Sequence, residues 1–218
     1  DIDRPEYWDA IINKTAIPEL LDFMNGRSEQ VKMSGMDEPD VLLWFIRSIQ
    51  KFAHKYSLRE AADLYGQLCL DIITYYKKQN HPRAFLHRNG LIWVDGTQRP
   101  ATWMNATEYG RPITPRTGYV VEINALWYNA MLFTAELLRE LGKEVTADLM
   151  EYQSNITKDA FTKTFWNGYY LNDYVVGDYQ DKEVRPNMIW AVGLPYSPLD
   201  RHQQKAVVDI CTKELLTP

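Results

Sequence analysis

The stretch 102–130, TWMNATEYGRPITPRTGYVVEINALWYNA, concentrates the side chains of this sequence that can do chemistry. It holds Trp103, Asn105, Glu108, Arg116, Glu122, Asn124, Trp127 and Tyr128. Carboxyl groups give and take protons, while amides and guanidinium groups hold hydroxyls. Aromatic ring faces pack against the C–H faces of sugars as readily as against other apolar surfaces. Glu122 stands where the loop becomes an apolar helix. There it either complements the positive end of the helix dipole or acts as a site carboxylate at the mouth of a helical assembly. Asp40 opens a second apolar helix in the same way. Both carboxylates are therefore expected at a shared end of the fold.

Other chemistries find no support. There is no GxxxxGK[ST] loop for phosphates and no GxGxxG after a strand. His54, His81, His87 and His202 are scattered, with no HExxH pairing, so no metal site is expected. No GxSxG elbow marks a serine nucleophile. Neither a metal nor an organic cofactor is expected.

The elements that must position these residues are mostly helical. Short helical patterns occupy about 5–14 and 18–25, with Pro18 suited to a first turn, and a polar loop covers 26–39. Helices are predicted over about 40–56, 58–79, 121–141 and 144–164, a short one near 187–193, and a last one over about 199–216. Asn89-Gly90, between AFLHR and LIWVD, signals a hairpin, and 165–179 reads as a second one around Asn167-Gly168. Residues 96–119 read as an irregular loop. Helix, helix, Asn-Gly hairpin thus occurs twice, with a period of about 80 residues. VLLWFI (41–46) and INALWYNAMLF (123–133) are apolar nearly all round and must be covered on most sides. Their partners are one-sided: Leu58, Ala61, Ala62, Tyr65, Leu68, Cys69, Ile72 and Tyr76 form one stripe, and Val145, Leu149, Tyr152, Ile156 and Ala160 another. Inner helices wrapped by outer ones make an all-α, double-layered α/α toroid, with short β-hairpins between helix pairs.

The 218 residues are enough for a real core, and 45% hydrophobic with 24% charged residues excludes a disordered chain. A net charge of −5 disfavours broad binding to nucleic acid or an anionic membrane. No apolar run approaches the ~18 residues of a transmembrane helix, and no secretory signal is visible. A cytoplasmic protein is expected. Cys69 and Cys211 both fall in helical patterns and are expected as free core thiols. The chain starts at Asp1 and ends just after a helical pattern, as expected of one partial domain, 1–218, of a longer protein. A cut toroid would expose apolar inner faces, so the chain is expected to self-associate.

TWMNA, ITPR and VEINALWYNA, in that order, resemble the C-terminal domain of glycogen debranching enzymes, the amylo-α-1,6-glucosidase family, whose pattern reads roughly TWMD…TPR…VEINALWYNAL. DVLLWFIRSIQ (40–50), FWNGYYLND (165–173), RPNMIWAV (185–192), LPYSPLD (194–200) and VVDICTKELLTP (207–218) agree as well. The resemblance covers about 37–218, and 1–36 match poorly. It implies an (α/α)6 toroid that hydrolyses the single α-1,6-linked glucose left at a trimmed glycogen branch, with inversion. A glucan or oligosaccharide is then the expected partner. Inversion needs an acid for the leaving oxygen and a base for the water, ~6.5–9.5 Å apart.

Two departures follow from the same resemblance. The family's acid is the Asp of TWMD, and here that position is Asn105. An amide can hydrogen-bond the glycosidic oxygen but gives it no proton. Glu122, ahead of Glu108, is the expected substitute. The family's base is expected beyond the last motif, outside these residues. Among substrate-binding candidates, Trp44, Trp103, Trp127 and Trp166 match motif tryptophans, with core packing the alternative for Trp44 and Trp127. Asp40 matches a residue able to bind a glucose hydroxyl pair, Asn124 lies in the VEIN motif, and Arg116 either holds a hydroxyl or orients Glu122 through a paired hydrogen bond. Asp173 and Arg185-Pro186-Asn187 are motif residues expected to brace the structure. Three readings stand: an inverting α-1,6-glucosidase, a glucan-binding relative without hydrolysis, and a toroid acting on another α-glucoside.

Overall fold

The computed structural model describes residues 8–26 and 37–217. The expected polar loop at 26–39 therefore lies mostly outside the described residues, as do the first residues of the helix expected at 5–14. A π-wound helix α1 (Trp8–Ala16) runs directly into α2 (Ile17–Met24), with Pro18 in its first turn. Two long helices follow, α3 (Val41–Lys55) and α4 (Leu58–Lys77), joined by a tight connection in which the Ser57 hydroxyl caps the Glu60 amide. The second pair is α5 (Val121–Glu140) and α6 (Glu144–Phe165). Gly142, at φ +70°, ends α5 while the Lys143 amide returns to Leu138 O. A 3₁₀ turn (Pro186–Ile189) leads into α7 (Trp190–Gly193), and α8 (Arg201–Leu215) opens on a capping box between Asp200 and Gln203.

Helix α5 is the centre of the core. Every residue from Val121 to Met131 is buried, and it packs against α3, α4 and α6. An all-round apolar helix demands that enclosure. Within it Gln50 of α3 and Asn129 of α5 exchange two amide hydrogen bonds of 3.0 and 3.3 Å, so the polar pair is satisfied without water. The expected stripe on α4 is buried at Ala61, Ala62, Tyr65, Cys69, Ile72 and Tyr76. On α6 the expectation fails. Val145, Leu149, Tyr152 and Ile156 are exposed, and Ala147, Met150, Ser154, Thr157, Phe161 and Phe165 face the core. Small and hydroxyl residues allow close approach there: the Thr157 hydroxyl donates to Gly90 O at 2.8 Å, while Phe161 and Phe165 fill the end nearest the sheet. Both cysteines are free, Cys69 buried and Cys211 half-buried.

The strands make the fold less purely α than expected. β1 (Ala84–Leu86) and β2 (Ile92–Val94) form the Asn-Gly hairpin. β3 (Thr107–Glu108) and β4 (Arg111–Pro112) form a small separate hairpin. β5 (Gly118–Val120) lies in the expected irregular loop and pairs with β2 on one side and β6 (Tyr174–Val176) on the other. With β7 (Tyr179–Gln180), the result is one antiparallel sheet of order β1-β2-β5-β6-β7. The second hairpin also turns later than expected, at Gly177-Asp178, and Asn167-Gly168 closes only the isolated Trp166–Leu171 bridge. The sheet thus ties both helix pairs together at the end where α5 begins.

Gly118 makes that joint possible. Its φ is +118°, and a Cβ there would lie 2.3 Å from Val175 O on the neighbouring strand. Gly118→Ala is therefore expected to cost about 2 kcal/mol or more in urea unfolding. An unchanged unfolding midpoint would show that the sheet does not depend on this close approach.

Candidate active site

The first turn of α5 delivers Glu122 to the sheet end, where it is fully buried. Arg116, 2% exposed and six residues earlier, closes on it with both arms of its guanidinium: Nη1 donates to Oε1 and Nη2 to Oε2, the latter at 2.7 Å. The same Nη2 donates to Asp173 Oδ1 at 2.8 Å, and Nη1 to Thr102 Oγ1 at 3.2 Å. Asp173 in turn accepts from Arg185 Nη1 at 2.8 Å and from Asn187 Nδ2 at 2.7 Å. Asn187 then accepts from the Trp103 indole at 3.0 Å. The start of α5, the 102–116 loop, the residue just before β6 and the 3₁₀ turn before α7 are held in one network. Arg116 is its hub.

The charges are strongly shaped by enclosure. Burial alone would lower the Arg116 pKa, but Glu122 and Asp173 outweigh it and hold the guanidinium firmly charged. Burial raises Glu122, and Arg116 opposes that shift. Asp40 has no such cation among the described residues. It sits at the start of α3, 3% exposed, and its carboxylate accepts from the Trp44 indole at 3.1 Å rather than capping its helix. Burial, with the negative charge of Glu122 adding to it, pushes Asp40 up to about 7. The expected shared end for Asp40 and Glu122 agrees with this electrostatic coupling. Trp44 meets Trp190 edge-on, with ring centroids 4.6 Å apart.

The remaining candidates fall in three places. Trp103 keeps half its ring exposed, and Asn105 and Glu108 are exposed on the same loop, Glu108 within the small β3–β4 hairpin. Asn124 is buried and spends its amide on the backbone: Oδ1 accepts from Ile92 N at 2.7 Å, and Nδ2 donates to Ile92 O and Val120 O, both at 3.0 Å. Trp127, 1% exposed, donates to Gly90 O at 3.2 Å. Trp166 is half-buried against His202 at the Leu171 bridge. Trp190 and Thr102 join the site without having been singled out. Trp190 stood in the quoted motif RPNMIWAV, but a helix of four residues gives no periodicity to place it. Among the described residues no group of three or more His, Cys, Asp or Glu side chains is arranged to hold a metal ion, and no helix is long and apolar enough to cross a membrane.

The model of the amylo-alpha-1,6-glucosidase family matches residues 13–218, and the chain belongs to that family. The match reaches further towards the N-terminus than the resemblance at 37–218 suggested. No curated protein matches the chain.

The raised Asp40 pKa has a definite sign. A carboxyl that keeps its proton in the folded chain, and loses it near 4 when unfolded, weakens folding as pH rises from about 4 to about 7, with no further change above. Asp40→Asn removes that slope. Its stability relative to the native chain is expected to grow by up to about 4 kcal/mol between those limits, read from urea unfolding at a series of pH values. A difference independent of pH would place the Asp40 titration elsewhere.

Proposed function

We propose that this member of the amylo-α-1,6-glucosidase family recognises an α-1,6-linked glucose on a cytoplasmic glucan such as glycogen limit dextrin and takes part in its hydrolysis with inversion. The described helices are, on this reading, part of an (α/α)6 toroid, with α3 and α5 inside and α4 and α6 outside. The observation that carries the proposal is the Arg116–Glu122–Asp173 hub, which holds Trp103 through Asn187 and whose Glu122 acts electrostatically on Asp40, the carboxyl that bonds Trp44 beside Trp190. Aromatic faces suit the C–H faces of a glucose ring, and a carboxyl beside them suits its hydroxyl pair. Family membership supports the reaction class.

The roles within the site follow from which groups are free. Glu122 has both oxygens on Arg116, so it serves as an anchor for the guanidinium. Asp40 takes sugar hydroxyls and, pushed up to about 7 with no guanidinium bonded to it among the described residues, can hold a proton for the leaving oxygen near neutral pH. Asn105 offers a hydrogen bond only. The base that activates water lies outside this cluster.

Asn105 favours a second reading, in which the site binds the glucan and does not turn it over. Glucose release from α-1,6-branched limit dextrin, by the protein that carries this chain and by its Asn105→Asp variant, separates the two. Release by the native protein is the expected result, with at least a tenfold loss in Asp40→Asn, the usual scale for a missing proton donor being about 10²–10⁴. Release by Asn105→Asp alone establishes the binding-only reading. Absence of both release and oligosaccharide binding would refute the assignment to α-1,6-glucosides.

A further inference from the structure

The apolar stripe that α6 turns to solvent has the spacing of a helix seam. Val145, Leu149, Tyr152 and Ile156 are separated by four, three and four residues and are 75%, 58%, 66% and 40% exposed. That is an alternating a/d pattern over about three turns, formed by side chains that nothing among the described residues covers. Helices α3 and α5, where exposed apolar faces were expected, contribute none of the exposed large apolar side chains among the described residues.

The two flanks of the stripe carry opposite charge. Glu144, Asp148 and Glu151 stand one position before stripe residues, and the three carboxylates share a single guanidinium, that of Arg139. On the other flank Gln153 follows Tyr152, and its Oε1 accepts from Lys77 Nζ at 2.6 Å. Lys77 and Arg88 border a cavity of about 190 Å³ beside Ile156, and neither has a carboxylate partner among the described residues. Lys77 itself is exposed, and its ammonium is held by the neutral Gln153 amide, not by a counter-ion.

We propose that the occupant of this face is a second copy of the chain, with the two α6 helices side by side and parallel. In a parallel pair the flank before the seam meets the flank after it, as g and e positions do in a coiled coil. Asp148 of each copy then lies opposite Gln153 and Lys77 of the other, and the excess acid of one flank meets the uncompensated cations of its partner. An antiparallel pair would set acid against acid and base against base. The closed two-fold arrangement uses the same patch twice and leaves no open end. A seam of four side chains per copy is smaller than a standard interface, so the dimer is weak and exchanges rapidly.

Sedimentation velocity of the chain over about a hundredfold range of concentration tests this. A weight-average sedimentation coefficient rising from monomer towards dimer is expected. Tyr152→Glu, at an exposed position, is expected to keep the native melting temperature and stay monomeric throughout. Lys77→Glu is expected to weaken association at least threefold, and Asp148→Lys in the same chain to restore it. A native chain that stays monomeric over the whole range, or a Tyr152→Glu variant that dimerises like the native chain, overturns the proposal. Failure of the charge exchange to restore association overturns the parallel arrangement.

Discussion

A guanidinium enclosed with two carboxylates is the constraint on which this structure turns. Arg116 and Glu122 are each almost wholly removed from water, and Asp173 is 1% exposed. Withdrawing such groups from water costs several kcal/mol per ion, recovered only when geometry is good and every remaining donor and acceptor is used. The network meets most of that demand. Glu122 is held by both arms of the fork, Asp173 takes Arg116, Arg185 and Asn187, and Thr102 accepts from Arg116. Because these partners come from far-apart segments, the pairing is available only when the sheet, the long loop and the start of α5 are all in place. The same bonds that brace the fold fix the Trp103 ring and set the charge that Asp40 feels.

The rest of the architecture delivers those groups. Apolar α5, surrounded by α3, α4 and α6, is a rigid post whose first turn carries Glu122. Asn124, two residues later, clamps β2 to the post through two bonds to the Ile92 backbone and adds a third to Val120 O of β5. β5 then closes the sheet, and Gly118 lets it approach β6. Tryptophans divide between two duties. Trp127 seals the post under the β1–β2 turn, while Trp44, Trp103 and Trp190 keep part of their rings accessible beside the hub.

Much of this was legible in the sequence because it rests on local signals. The all-round apolar helices, the Asn89-Gly90 hairpin, the stop at Gly142 and the paired Arg116–Glu122 bond all appear as expected from neighbouring residue types. What was not legible depends on distant partners. β5 is three residues long and becomes a strand only because β2 and β6 flank it. The α6 stripe was misplaced because apolar spacing marks a face that wants a partner without saying whether that partner lies within the same fold; Thr157 and Ser154 face inward because Gly90 and the approach to α5 suit them. The roles of Asn124 and Trp127 could not be separated from sugar contacts by residue type alone, since an amide or an indole serves either purpose.

The claim that Arg116 is the hub is tested most directly by the free energy of unfolding of Arg116→Met beside the native chain. The substitution keeps much of the side-chain volume and leaves Glu122 and Asp173 buried, with Asp173 keeping Arg185 as a partner and Glu122 losing its cation. The account predicts a loss of about 3–5 kcal/mol at neutral pH. A loss below about 1 kcal/mol would contradict it and would mean that the sheet end is ordered by its apolar contacts alone.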